Sequence, residues 1–383
     1  MLRRRAFLKN GASMLLVFAV RPRAADRLAA GCGTTDHEPP APAAPASRTD
    51  VPPAPASTTI PATAPRRGPS GQRTPALTPA YATPASRRVT NLVQLDQALF
   101  SARGGETIEV DADLVQREQI VFRPGPAREQ NVLIRPPLGQ RRRLSEVRIR
   151  QDHLTVAGFD LLGAAFIGDG AYPGEGSFSG YWRCTQARSA LLVLSVQDAF
   201  LVECVGYEDD HDDDSRVTIY GYQRWAVERL LIDGCWWGVA NFLVPGSSAH
   251  VDGIHVEGAA GGGVRDITIR DSVLAQGAGV SALLKPNGGY LRWINNWSSK
   301  DRVTSFHALS VENLGADVTV TDSDINGHIT WVGRQPISFK RNRLRRINVP
   351  VDATNVVDES GAWPMDELAD LTSAWPECPW RRP

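Results

Sequence analysis

Two histidines, an aspartate and a glutamate alternate with apolar residues in the segment HVDGIHVEG, residues 250–258. Imidazoles and carboxylates are common proton-transfer groups near neutral pH. Side chains of an extended strand point alternately to opposite faces, so His250 and Asp252 are expected on one face and His255 on the other. A bend at Gly253 would change that division. His250, Asp252 and His255 are therefore candidate catalytic residues.

The segment at residues 208–214 carries carboxylates at every position except one histidine. Adjacent carboxylates repel one another, so such a run needs either a bound cation or full solvation. Oxygen ligands in number suit calcium, although the spacing of an EF-hand loop is absent. A calcium site is expected here, with a solvated acidic loop as the alternative. The candidate ligands are Asp210, Asp212, Asp213 and Asp214.

Lys285 is the third candidate catalytic residue. Aligning DGIHVEG with VSALLKP places Lys285 beside Glu257 if the two segments stack on one another. The lysine would then bind a substrate carboxylate or act as a base. The alternative is a surface ion pair, which contributes at most ~1 kcal/mol. The candidate substrate-binding residues are Glu257, His307 and Glu312, which would extend this arrangement, and Trp237, whose indole face can stack on a sugar ring.

A local pattern recurs through the second half of the chain. Apolar or β-branched residues are followed by two polar residues and then by Cys, Ser, Asn or Trp, at residues 201–205, 231–235, 267–273, 293–297, 318–323 and 337–342. Irregular repeats of short strands predict a solenoid whose coils carry loops of varied length. Residues at one coil position would form a row along the surface, and small polar residues would form ladders at the bends. An antiparallel sandwich explains the recurrence less well.

The same segments carry a family resemblance. HVDGIHVEG, VRDITIRDSVL, VSALLKPNGG and INNW together resemble secreted bacterial right-handed parallel β-helix proteins of the pectin lyase-like superfamily. The resemblance covers residues 89–351 and is strongest at residues 249–297. It implies an all-β, right-handed parallel β-helix and a carbohydrate-related function. Two departures stand out, because neither the Arg-x-Pro-x-x-Arg element of pectate lyases nor the full polygalacturonase set is present.

The first 88 residues are expected to direct and tether the protein. Residues 1–32 resemble a twin-arginine export signal, with Arg4 and Arg5 before a short apolar run. Cys32 follows a displaced lipobox and is a candidate lipid anchor, with simple cleavage as the alternative. Residues 33–88 are rich in Pro, Ala and Thr and lack the large apolar residues that a core requires. They are expected to be a disordered linker of an exported bacterial protein.

The folded part is expected to begin with a short helix that caps the solenoid, because the end of a solenoid is an open apolar cross-section. The β-helix is expected over residues 89–351, and a tail at residues 352–383 is expected to pack on it or cap it. Cys184, Cys204, Cys235 and Cys378 remain besides Cys32. Export permits disulfides, but spacing does not define a pairing.

The overall charge gives no reason to expect a partner that is bound through net charge. The 42 basic residues balance 42 acidic ones, which gives no case for nucleic acid or an anionic membrane. A monomer that binds polysaccharide is expected.

Three functions remain open from the sequence. The first is a lyase that cleaves a uronate polysaccharide by β-elimination, with calcium and a base such as Lys285 or His250. The second is an inverting glycoside hydrolase that uses Asp252 with Asp213 or Asp214. The third is a non-catalytic glycan-binding or structural protein at the cell surface.

Overall fold

The structure is a computed structural model. It describes residues 83–186, 191–208, 217–222, 225–240, 252–258, 262–276, 280–300, 307–333, 335, 337–347 and 352–357. The described elements begin with β1 (Arg87–Val89), α1 (Leu92–Ser101), β2 (Thr107–Val110), β3 (Ile120–Phe122), β4 (Val132–Arg135), β5 (Arg142–Leu144), β6 (Val147–Ile149), β7 (Leu154–Ala157), β8 (Phe159–Leu161), β9 (Ala165–Ile167), β10 (Gly180–Trp182), β11 (Thr185–Gln186), β12 (Leu191–Leu194), β13 (Phe200–Val202) and β14 (Val205–Glu208).

The later half contains only strands among its described residues. They are β15 (Val217–Tyr220), β16 (Val227–Asp233), β17 (Trp236–Ala240), β18 (Ile254–Glu257), β19 (Val264–Arg270), β20 (Val273–Gln276), β21 (Ala282–Lys285), β22 (Gly288–Ile294), β23 (Trp297–Lys300), β24 (His307–Asn313), β25 (Asp317–Thr321), β26 (Asp324–Gly333), β27 (Ile337–Lys340), β28 (Arg343–Ile347) and β29 (Val356–Val357).

The strands form three parallel columns. The first column is one sheet of eleven strands, in the order β1, β2, β4, β7, β10, β13, β16, β19, β22, β25 and β27. The second contains β5, β8, β11, β14, β17, β20, β23, the start of β26, β28 and β29. The third contains β3, β6, β9, β12, β15, β18, β21, β24 and the end of β26. The long strand β26 joins the second and third columns into one sheet.

Alternation along each strand builds the core. In β15, β18 and β21 the first and third residues are buried and the second and fourth are partly exposed. The inward residues of all three columns form one continuous apolar cluster along the helix axis. The predicted right-handed parallel β-helix is confirmed, and the polar outward residues form rows along its surface.

α1 covers the first coil. Asn91 caps the helix, because its side-chain Oδ1 accepts a hydrogen bond from the Gln94 amide at 2.9 Å. Leu95, Ala98 and Leu99 are buried in the solenoid core, whereas Phe100 faces solvent. The predicted capping helix is therefore present. No helix in the described ranges is long and apolar enough to cross a membrane.

A ladder of small residues fixes the corner between the first and second columns. Each backbone amide donates to the side chain on the next coil, from Cys235 to Ser272 at 3.1 Å, Ser272 to Asn296 at 2.9 Å and Asn296 to Ser323 at 3.0 Å. The series continues to Asn342 and Asn355. Because buried amides must be satisfied, this ladder holds consecutive coils in register. The ladder predicted from the repeated pattern is confirmed.

The residue before each ladder position up to Asn342, and before the equivalent positions on two earlier coils, adopts a left-handed backbone conformation. Positive φ angles occur at Arg183, Glu203, Gly234, Asp271, Asn295, Asp322 and Arg341. Gly, Asn and Asp tolerate this conformation, whereas Arg and Glu are less common there. The charged members are paired between coils, with Arg183 bonded to Glu203 and Arg341 to Asp322 at 2.6 Å. These ion pairs run along the corner beside the ladder.

The last described coil extends past the expected boundary at residue 351. Asn355 accepts from the Asn342 amide at 2.9 Å, and β29 pairs with β28. Residues 352–357 therefore continue both the ladder and the second column.

Three cysteines extend the same ladder toward the N-terminus. Cys184, Cys204 and Cys235 lie on consecutive coils, and all three are buried free thiols. Burial raises the pKa of the Cys184 thiol, and the neighbouring Cys204 adds to that effect. Burial also raises the pKa of Cys204, with a further contribution from Cys235. Both thiols are therefore protonated in the native protein over the range in which an exposed thiol ionises.

These thiols should make the protein less stable at alkaline pH. Above the unfolded-state thiol pKa of ~8.5, the unfolded chain releases protons that native Cys184 and Cys204 retain. Stability that is fully present below this pH is then lost by about 1.4 kcal/mol per pH unit for each thiol. Urea unfolding between pH 7 and pH 10 measures this loss.

Serine is the matched replacement, because Ser272 and Ser323 occupy later positions of the same ladder. We expect the double variant Cys184→Ser with Cys204→Ser to lose less free energy of unfolding per pH unit above the thiol pKa, by about 1.4 kcal/mol for each replaced thiol. An unchanged slope in this double variant would contradict the assignment of the alkaline loss to these thiols.

Candidate functional site

The candidate site lies on the outer face of the third column. In β18, Ile254 and Val256 enter the core, which leaves His255 and Glu257 on the outer face. In β21 the same alternation buries Ala282 and Leu284 and turns Lys285 outward. The β-branched and aliphatic residues therefore fix which polar side chains are presented.

Strand register brings three charged side chains into line. Glu257 pairs with Lys285, and the pairing of Leu284 with Val311 places Lys285 next to Glu312. The Lys285 Nζ atom lies 3.1 Å from Glu257 Oε2 and 3.8 Å from Glu312 Oε2. The predicted placement of Lys285 beside Glu257 is confirmed, as is its extension to Glu312.

Asp252 and His255 lie together at the start of β18. Asp252 Oδ1 accepts a hydrogen bond from the Val280 amide at 3.2 Å, and its Oδ2 lies 3.4 Å from His255 Nδ1. His255 Nε2 lies 3.4 Å from Glu257 Oε2. The charged row is therefore Asp252, His255, Glu257, Lys285 and Glu312.

The expectation that Asp252 and His255 occupy opposite faces is wrong. β18 begins only at Ile254, and a bend at Gly253 precedes it, so strict alternation does not reach Asp252. A Cβ atom at Gly253 would lie 2.4 Å from the Ser281 carbonyl oxygen. Glycine therefore permits the close backbone approach that turns the Asp252 carboxylate toward His255.

The side chains of the charged row differ in their exposure to solvent. The Asp252 side chain is fully buried, whereas that of Glu312 is 43% exposed. His255, Glu257 and Lys285 are partly exposed, between 15% and 22%. A ligand on this face would therefore meet Glu312 and Lys285 first, and Asp252 would act by positioning His255.

The charged row contains more acidic than basic groups. Asp252, Glu257 and Glu312 contribute carboxylates, whereas Lys285 contributes one ammonium and His255 an imidazole. Partly exposed ion pairs such as Lys285–Glu257 contribute little net stability, on the order of 1 kcal/mol or less. These contacts therefore contribute little to stability, and a surface ion pair remains the alternative to a functional role for Lys285.

Tyr220 is a neighbour of the charged row that the sequence did not reveal. It pairs with Glu257 on the adjoining coil. Burial raises the pKa of its hydroxyl, with smaller contributions from Tyr222 and Glu257. The hydroxyl therefore remains a hydrogen-bond donor at moderately alkaline pH. Aligning Val217–Tyr220 with Ile254–Glu257 in the sequence would have identified it.

Trp237 lies in the hydrophobic core. Its side chain is 1% exposed, and a Cβ atom at Gly206 would lie 2.5 Å from its ring. The missing side chain at Gly206 makes room for the indole on the next coil. Trp237 therefore offers no face to a sugar, and its selection as a substrate-binding residue is corrected to a core-packing role.

Several candidate residues lie outside the described part of the chain. They are His250, Asp210, Asp212, Asp213 and Asp214, together with the side chain of His307, whose backbone begins β24. The calcium prediction therefore stays a prediction. Among the side chains that the structure describes, no group of three or more His, Cys, Asp or Glu residues is placed to hold a metal ion.

Comparisons with known proteins return no relative. No protein-family model, curated protein or solved structure matches the chain. The fold therefore defines the class, a parallel β-helix, and the site must be interpreted from its own geometry.

Asp252 should matter more for stability than an exposed carboxylate. We expect Asp252→Ala to lower the free energy of unfolding by about 1–3 kcal/mol, because it leaves the Val280 amide without its acceptor. Asp252→Asn keeps an acceptor oxygen and should lose less. Urea denaturation measures both changes.

The matched control is Asp317→Ala. Asp317 is 68% exposed and pairs with Arg292 on the surface, so its removal should change stability by about 1 kcal/mol or less. Equal losses in Asp252→Ala and Asp317→Ala would show that Asp252 does not anchor the charged row.

Proposed function

We propose that the protein is an exported polysaccharide-active β-helix protein, and that it cleaves an acidic polysaccharide by β-elimination. One observation carries this proposal: the alignment of Glu257, Lys285 and Glu312 on consecutive coils, with contacts of 3.1 and 3.8 Å between them. The resemblance to the pectin lyase-like superfamily supports the same substrate class. Export and a lipid anchor at Cys32 belong to this proposal.

The shape of the face suits a polymer. Coils of a β-helix repeat at ~4.8 Å, so one side chain per coil produces a row parallel to the axis. A linear polysaccharide that lies along the third column would meet Tyr220, Glu257, Lys285 and Glu312 in turn. A small, compact substrate would contact fewer of these positions.

The proposed chemistry assigns a role to each end of the charged row. Lys285 pairs with the carboxylate of a uronate unit, which makes the proton at its C5 more acidic. Glu312, the most exposed carboxylate of the row, removes that proton. The C4–oxygen bond then breaks, a C4–C5 double bond forms, and the departing oxygen takes a proton. Asp252, His255 and Glu257 position Lys285 through the contacts between 3.1 and 3.4 Å.

The carboxylates of the charged row oppose the binding of an acidic polysaccharide. The carboxylates of Glu257 and Glu312 already neutralise Lys285 and repel a polyuronate. Two unit charges 4 Å apart interact by about 4 kcal/mol at the effective dielectric of a protein surface, so this repulsion opposes binding. A divalent cation between substrate and protein would reverse it. The proposal therefore retains the calcium requirement predicted from the acidic segment at residues 208–214.

Hydrolysis is the second candidate, and the two glutamates favour it. Both Oε2 atoms contact the same Lys285 Nζ, at 3.1 and 3.8 Å, so their separation cannot exceed the sum of these distances. Paired carboxylates ~5–5.5 Å apart serve retaining glycosidases, and pairs ~6.5–9.5 Å apart serve inverting ones. The partly exposed Glu257 is more accessible to a substrate than the buried Asp252. The expected pairing of Asp252 with Asp213 or Asp214 stays a prediction, because both partners lie outside the described residues.

One assay separates the two reactions. Purified protein is incubated with acidic and neutral polysaccharides, with calcium or with a chelator, while ultraviolet absorbance of the unsaturated product and new reducing ends are recorded together. We expect absorbance that requires calcium. Glu312→Gln should reduce the rate by about 10²- to 10⁴-fold, the range for loss of an acid–base group. Lys285→Met should weaken turnover of uronate substrates.

Matched variants keep the test specific. Glu118→Gln removes an exposed carboxylate elsewhere, and Lys340→Met removes an exposed lysine of β27. Both should retain wild-type rates. Reducing ends without absorbance would replace the lyase by the hydrolase, and wild-type activity in Glu312→Gln would remove the charged row from the reaction. No turnover on any substrate would favour the non-catalytic glycan-binding protein.

A further inference from the structure

A second row of polar residues lies where the chain enters the first column. Gln197 bridges to Glu228, and Glu228 pairs with Arg265 on the next coil. Extending the registers of β7, β10 and β13 backward places Asp152 and Ser177 in the same line. Five coils therefore contribute one polar residue each, over about 19 Å at ~4.8 Å per coil.

A cavity of about 500 Å³ follows this row and contains two exposed aromatic rings. Phe178 is 42% exposed and Trp225 is 47% exposed. A smaller cavity of about 150 Å³ shares Asp152 and continues the depression toward Arg150. We call this feature the corner groove, defined by Asp152, Ser177, Gln197, Glu228 and Arg265 with Phe178 and Trp225.

The Phe178 ring and the Trp225 backbone are each held by close neighbours. The Phe178 ring stacks on His153, with ring centroids 4.6 Å apart and planes 1° apart. The Trp225 amide donates to the Tyr222 carbonyl at 3.0 Å, and a Cβ atom at Gly262 would lie 2.1 Å from the Trp225 backbone. This tight backbone packing fixes where the indole leaves the chain. The Phe178 ring is therefore pre-organised and the Trp225 backbone is fixed, which lowers the entropic cost of binding.

The charges of the corner groove are satisfied within the protein. Arg265 Nε donates to Glu228 Oε1 at 2.8 Å, and Arg150 pairs with Glu175 at 2.5 Å. Asp152 Oδ1 accepts from the amides of Gly176 and Ser177, both at 2.9 Å. An anionic ligand would have to displace one of these carboxylates, so the groove favours a neutral ligand with many hydroxyl groups.

We propose that the corner groove binds a neutral, linear oligosaccharide, with one sugar ring stacked on Trp225. An apolar face for the C–H side of a pyranose lies next to polar groups for its hydroxyls, a combination typical of specific ligand pockets. The straight row over five coils suits an extended chain of several sugars. This binding site is separate from the charged row, and its existence does not rest on the proposed cleavage reaction.

Calorimetric titration of the full-length protein tests this site. The probes are neutral hexasaccharides of β-1,4-linked glucose, xylose, mannose and N-acetylglucosamine. We expect saturable binding of at least one probe and at least about tenfold weaker binding by Trp225→Ala, as is common for an aromatic residue that a ligand covers on binding. Trp225→Phe should restore part of the affinity, and Gln197→Ala should weaken it less than Trp225→Ala.

Two control variants test whether the oligosaccharide binds at the corner groove and not elsewhere on the protein. Phe100→Ala removes an exposed ring of α1 and should leave the affinity unchanged. Lys285→Met should also leave it unchanged, because Lys285 lies on the third column and does not line the corner groove. Absence of binding for every neutral probe, or equal affinity in wild type and Trp225→Ala, would overturn the proposal.

Discussion

Coil-to-coil hydrogen bonding is the constraint on which the structure depends. Parallel strands in three columns repeat at ~4.8 Å. The ladder from Cys235 through Ser272 and Asn296 to Asn355 joins each coil to the next by hydrogen bonds. This repetition turns sequence positions 20 or more residues apart into direct neighbours. Glu257, Lys285 and Glu312 are close together only because β18, β21 and β24 hold one register. A shift of one residue would reverse inward and outward side chains.

The repeating parts of the fold could be predicted from the sequence, because each coil requires similar residue types at equivalent positions. Apolar alternation followed by a small residue predicted the strands and the ladder, and the open apolar end of a solenoid predicted the capping helix. Alignment of two such segments was sufficient to place Lys285 beside Glu257. These features follow from burial and backbone hydrogen bonding, which act on local residue types.

The site was less predictable, because its geometry depends on exceptions to the repeat. The bend at Gly253 places Asp252 next to His255, and strict alternation does not foresee it. Trp237 is buried because Gly206 on the preceding coil leaves room for its ring. The corner groove depends on Trp225, which lies between strands. The alternation of inward and outward side chains applies only within a strand, so it does not predict which way Trp225 points. Tertiary neighbours therefore decide the roles of these residues.

The two polar rows differ in how their charges are arranged. The charged row leaves Glu312 43% exposed beside Lys285, which gives a ligand access to an acid–base group and a cation. The corner groove pairs Arg265 with Glu228 and places aromatic rings beside them. One solenoid can therefore carry a charged face and a second face with paired charges and aromatic rings, since each face is determined by different positions of the same coil.

A crystal structure of Glu312→Gln with a bound acidic oligosaccharide would show whether the charged row binds the polysaccharide. We predict a linear chain along the third column, parallel to the helix axis, with a uronate carboxylate within ~3 Å of Lys285 Nζ, the distance of a charge-assisted hydrogen bond. An oligosaccharide bound elsewhere on the solenoid, with no contact to Lys285, would contradict the account.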